Sequence, residues 1–191
     1  ANLYDIKQTP TYSMRTLAYH EATPGHHHQI AHSLENKDLT LYRRFGYFTS
    51  AFAEGWALYS EILALEAGLA ENPYDELGIL QSELFRAVRL VVDTGMHYKR
   101  WTREEAMNYM KSITGMSDTE VRVEIERYIV WPGQALSYKV GMIKMLELRE
   151  KAKQELGDQF NIKDFHSAVL DHGNPPLFIV EKMIDKMISD A

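Results

Sequence analysis

YHEATPGHHHQ, residues 19–29, is the stretch on which the reading of this chain turns. His20 and Glu21 stand side by side. That pairing is the start of a helical metal motif in which a second histidine follows four residues after the first and the glutamate serves as base. One turn separates such a pair by about 6 Å, so both rings reach one ion. Here that slot holds Pro24, and the next histidines are His26, His27 and His28. On an unbroken helix a separation of seven returns to the same face, but about 10 Å further along the axis. Two bonds of about 2 Å to one ion do not span that distance. A metal site therefore requires the helix to be distorted between its ligands. Pro24 removes a backbone donor and crowds the preceding turn, and Gly25 permits unusual dihedrals. The expectation is a metal-binding helix with a Pro-Gly bulge that absorbs two extra residues. His26 is then the second ligand, with His27 as the alternative.

FAEGWALYSE, residues 52–61, supplies carboxylates. Glu54 lies among Phe52, Trp56 and Tyr59, and a carboxylate in such company needs a partner or a cation. On a helix antiparallel to the first, Glu54 is placed to meet His20 and His26. The competing reading is a buried ion pair with Arg86 or Arg89. Glu61, two turns on, reads first as exposed surface and second as a group that orients a ligand histidine from behind. No Glu-x-x-His occurs, which excludes the di-iron bundle pattern.

The rest of the chain is helical in pattern, without alternating β-branched strands. Asn72-Pro73 with Asp75, Thr102 with Glu105, Ser117 with Glu120, Asn161 with Asp164 and Asn174-Pro175 read as helix starts. Gly115 and Gly157 read as stops. The predicted helices run over about 12–35, 41–69, 73–99, 103–114, 118–130, 134–156, 162–171 and 175–189, broken clearly at WPGQ, 131–134. Short connections point to one all-α domain over residues 1–191. The 191 residues carry a net charge of −6 and no basic tract, which speaks against nucleic acid and anionic membrane as partners. No apolar run has transmembrane length. The absence of cysteine excludes disulfides and thiolate metal sites, so any metal is held by His, Asp or Glu.

Arg86, Arg89, Asp93 and His97, in FRAVRLVVDTGMH, recur at three- to four-residue spacing on one face. Such a stripe is either a solvent face or the wall of a polar cleft, and the neighbouring metal motif favours the cleft. Arg86 or Arg89 then binds a substrate carboxylate. His97 donates to a developing oxyanion, with Asp93 holding it. Tyr138, just after the WPG break, is a further phenol for that oxyanion; Gln134 and Lys139 are weaker candidates. His32, His166 and His172 are read as structural or surface residues.

HEATPGHH, EGWALYSE, ELFRAVRLVVDTGMH and PGQALSYKVG together resemble the C-terminal part of the bacterial family of domain of unknown function 885. Its members are similar to gluzincin zinc peptidases such as thimet oligopeptidase and angiotensin-converting enzyme. The resemblance implies a zincin-like helical domain, with His20, His26 and Glu54 on Zn2+ and Glu21 as general base and acid. It also implies that Tyr138 stands over the scissile carbonyl of a peptide substrate. Two positions depart from the pattern: Leu58 stands where thermolysin-like sites have Asp, and His28 where an apolar residue is expected. Full members are longer, so the chain is expected to be the catalytic segment of a larger protein, cytoplasmic or in the cell envelope. Two alternatives to a zinc peptidase are a helical binding module with a vestigial site and a zinc amidohydrolase acting on a non-peptide amide.

Overall fold

The computed structural model describes residues 10–46 and 48–191, and among these the regular structure is entirely helical. After a short 3-10 turn, α1 spans Met14–Glu21 and α2 His26–Glu35. A π-helical turn, Tyr42–Gly46, precedes α3, Ser50–Glu66. Then come α4 (Pro73–His97), α5 (Arg103–Thr114), α6 (Asp118–Val130), α7 (Ser137–Leu156), α8 (Ile162–Leu170) and α9 (Leu177–Ser189).

Helix α3 is the axis of the fold. It is apolar on every side, and such a helix is stable only when surrounded. Phe52, Ala53, Ala57, Leu58 and Tyr59 are fully buried. One core joins α3 and α7 to α8 and α9 through Trp56, Met145, Phe165, Val169, Val180 and Ile184. A second core joins α4, α5 and α6 through Val88, Val92, Met110, Val121, Ile125 and Tyr128. The α3–α7 crossing is made by two glycines. A Cβ on Gly141 would stand 1.9 Å from the Ala51 carbonyl oxygen, and one on Gly55 would stand 2.4 Å from Gly141 Cα. Contact this close brings Glu54, next to Gly55, against Tyr138, one turn before Gly141.

Most punctuation falls where the sequence places it. Asn72 accepts from the backbone N–H groups of Tyr74 and Asp75, Asn161 accepts from Lys163 N–H, and both capping boxes are formed. Gly115 closes α5 at φ 68°. Three expectations are corrected. The predicted first helix is two helices: the chain leaves helical geometry after Glu21 and resumes at His26, so Pro24 and Gly25 make a stop and restart rather than a bulge. The predicted helix over 41–69 is a π turn followed, from Ser50, by α3. Asn174 does not begin α9, which starts at Leu177. Its side-chain carbonyl instead accepts from Thr49 N–H at 2.9 Å, and its backbone carbonyl accepts from Thr49 Oγ1 at 3.0 Å, fixing the entry to α3.

Candidate metal centre

The loop Ala22–Gly25 is folded back on the end of α1. A Cβ on Gly25 would lie 1.9 Å from the His20 carbonyl oxygen and 2.4 Å from that of Tyr19, so only glycine fits. The loop is tied to α3 by Trp56, whose indole N–H donates to the Pro24 carbonyl at 2.8 Å. This turn does what a continuous helix cannot. His20 and His26, about 9 Å apart along a straight helix axis, have ring centroids only 4.9 Å apart, edge to face.

Glu54 completes the group. One ligand atom each from His20, His26 and Glu54 lie within 4.8 Å of one another. His26 Nε2 and Glu54 Oε2 are 3.2 Å apart. His26 joins the cluster, whereas His27 is exposed and has no place in it. Burial alone would raise the Glu54 carboxyl; the hydrogen bond and charge of His26, with Tyr138 and His20, bring it below the usual carboxylate range. Its surroundings therefore favour the anion that a metal requires. The alternative pairing of Glu54 with Arg86 or Arg89 is not formed.

Behind the cluster, His20 Nδ1 lies 2.7 Å from Glu61 Oε1, with His20 3% and Glu61 1% exposed. A proton held on Nδ1 by this acceptor leaves the Nε2 lone pair for an ion. The surface reading of Glu61 is thus overturned: the residue is buried in α3, and its carboxylate turns to His20. It does for His20 what an acid at position 58 was expected to do. Tyr138 is 7% exposed and lies nearly parallel to the His20 ring at 6.3 Å. The Gln134 side-chain amide donates to both Glu54 Oε1 and the Tyr138 hydroxyl, each at 3.3 Å. Its position just after the WPG turn is the signal that marks Gln134 in the sequence. Glu21, the last residue of α1, is solvent-exposed next to His20.

The α4 stripe divides. Arg89 is not free for a substrate: Nε donates to the Tyr128 hydroxyl at 2.7 Å and Nη2 to Glu124 at 2.9 Å. Its guanidinium also lies 4.3 Å from the Phe85 centroid and 4.7 Å from that of Tyr138. It is a strut beneath the tyrosine. Burial works against its charge, but Tyr128 and Glu124 hold it above the usual arginine range. Asp93 does not hold His97; it accepts from Gly133 N–H at 3.0 Å and so pins the WPG turn. His97 is exposed, with Nε2 2.9 Å from the Tyr128 carbonyl, and is not brought to the cluster. Lys139 pairs with Glu83. Arg86 remains beside the site. Burial pulls its guanidinium below the usual arginine range, while the charge of Glu61 opposes that shift.

Fold and site define an all-α protein with a histidine–histidine–glutamate cluster beside a buried tyrosine. The chain belongs to the family described as "Bacterial protein of unknown function (DUF885)", whose profile matches residues 1–184. It is similar to a solved candidate lipoprotein of Colwellia psychrerythraea, with 52% identity and a TM-score of 0.95 over the whole of this chain. It is also similar to a candidate lipoprotein of unknown function from Shewanella oneidensis, with 27% identity and a TM-score of 0.85 over 93% of this chain. The matches cover 32% of each of those proteins, so this chain spans about a third of their length. No curated protein matches it.

Proposed function

We propose that the chain carries the zinc centre of a peptide hydrolase. The observation that carries the proposal is the convergence of His20, His26 and Glu54, with His20 backed by Glu61. Two imidazoles and one carboxylate are a donor set that suits zinc and leaves a coordination position for water. Zinc in such a site makes water acidic and polarises a carbonyl oxygen. Glu21, adjacent to His20 and open to solvent, takes the proton from the attacking water and returns it to the leaving amine. The Tyr138 hydroxyl, held by Gln134, donates to the oxyanion that forms on the former carbonyl oxygen. Arg89 fixes the tyrosine ring from below.

Among the described residues no helix is long and apolar enough to cross a membrane. Both solved neighbours are described as candidate lipoproteins, which supports a place in the cell envelope for the whole protein.

Replacing Glu21 by Gln tests the chemistry. The variant is expected to retain the metal content of the wild type and to lose peptide-library cleavage by at least about 100-fold. Cleavage by the wild type is expected to stop with a chelator and return with zinc. Full activity of Glu21→Gln, or activity indifferent to chelation, contradicts the proposal.

A further inference from the structure

The Gln134 amide ties the metal cluster to a side chain outside it. Its carbonyl oxygen accepts from Arg127 Nη2 at 3.1 Å, while its Nε2 lies 3.3 Å from both Glu54 Oε1 and the Tyr138 hydroxyl. The two ends of an amide are nearly alike in size, so its neighbours decide which way it faces. A guanidinium only donates, and the end that meets Arg127 is therefore the oxygen. Glu54 and Tyr138 both face the NH2 group. Arg127 is half-buried in the last turn of α6. Its backbone carbonyl accepts from Trp131 N–H at 3.1 Å, and its guanidinium carbon lies 5.8 Å from the Trp131 ring centroid. Among the described residues no carboxylate pairs with it, so none competes with Gln134 for its donors.

The direction of the amide matters to both of its partners. Glu54 Oε1 takes an amide hydrogen, which leaves Oε2, the oxygen 3.2 Å from His26 Nε2, to the cluster. The Tyr138 hydroxyl accepts the other amide hydrogen, so its own proton remains for an oxyanion. An inverted amide would set its oxygen against the Glu54 carboxylate and take up the Tyr138 proton. Repulsion from Glu54 opposes inversion but does not hold the side chain in place. That takes a donor on the far side of the amide, and Arg127 supplies it. We propose that Arg127 is a positioning residue of the site: by holding the Gln134 carbonyl it keeps the amide NH2 on Glu54 and Tyr138, which leaves the Tyr138 proton for the oxyanion. Its effect on rate rests on the zinc-hydrolase reading; its effect on Gln134 does not.

Two experiments on the full-length protein test it. The first is crystallographic and uses metal-free protein. In Arg127→Met, which keeps the length of the side chain but has no donor, the Gln134 amide leaves hydrogen-bond distance of Glu54 and Tyr138. In Arg127→Lys, which keeps a donor, it stays. The second is kinetic and uses zinc-loaded protein with a peptide that the wild type cleaves. Arg127→Met lowers kcat at least about tenfold, the loss of one charge-assisted hydrogen bond, and leaves KM unchanged. Arg127→Lys restores most of the rate. The double variant Arg127→Met/Gln134→Ala is no slower than Gln134→Ala alone, because Arg127 acts only through Gln134. A wild type without zinc-dependent cleavage defeats the hydrolase reading, and the crystals still decide the placement of Gln134. An unmoved Gln134 in Arg127→Met, a raised KM with unchanged kcat, or additive losses in the double variant overturns the inference.

Discussion

Replacing Gly141 by alanine tests how the site is held in register. The new Cβ would stand 1.9 Å from the Ala51 carbonyl oxygen, against 3.4 Å or more for an ordinary contact, so α3 and α7 must part by about 1.5 Å. The opposing atom is backbone, which cannot rotate away. Alanine in a helix interior returns about 1 kcal/mol of propensity. Forced overpacking costs about 1–3 kcal/mol, and separating two helices that meet at Gly55 and Gly141 forfeits further dispersion contact. We expect a net loss of about 2 kcal/mol, a fall of roughly 4–8 °C in melting temperature for a domain of this size. The displacement also moves Glu54 relative to Tyr138, so metal affinity should fall with stability. Thermal unfolding by circular dichroism and zinc titration by calorimetry read the two effects. Gly115→Ala is the control, since its φ of 68° is unfavourable for alanine but no atom lies within 4 Å. It should lose about 1 kcal/mol and no metal affinity. A Gly141→Ala protein as stable as wild type with unchanged zinc binding would refute the reasoning.

The Glu61→Gln variant should remain folded and bind zinc about 10-fold more weakly, because a neutral amide oxygen replaces the carboxylate that polarises His20; competition with a chromogenic chelator measures this. A second expectation concerns acid. Burial, with Arg149 and His28 nearby, pushes His166 down to about 4, and its Nε2 accepts from the Tyr59 hydroxyl at 3.0 Å. The unfolded chain therefore binds this proton at a higher pH than the folded one. The stability that neutral His166 permits is intact above about 6.5 and falls as pH drops toward 4, by up to about 3 kcal/mol. Urea unfolding of metal-free protein from pH 4 to 7 should show this slope, and His166→Gln should flatten it.

How much of the site was legible depended on whether partners lie near in sequence. The helix starts rest on local side-chain to backbone bonds, so Asn72, Thr102, Ser117 and Asn161 read correctly. That His20, His26 and Glu54 lie together agrees with the expectation that the helix is distorted at Pro24-Gly25, although a bulge was expected and a break is found. The form of that break was not readable. It depends on Trp56, thirty-two residues away, binding the Pro24 carbonyl. Glu61 was misjudged because a glutamate is usually solvated; its burial is set by α1 and α4, whose His20 and Arg86 it faces. The α4 stripe read correctly as one face, but its partners come from α6 and the WPG turn. Tyr128, Glu124 and Gly133 claim Arg89 and Asp93, and the Tyr128 carbonyl claims His97.

The most direct test of the account is a zinc-edge anomalous difference map from crystals of the full-length protein grown with zinc. The account predicts one peak, bonded at about 2.0–2.2 Å to His20, His26 and Glu54, with His20 Nδ1 still on Glu61. The peak should be lost in His26→Ala. A peak held by His27, or no peak at the cluster while the protein is folded, would contradict it.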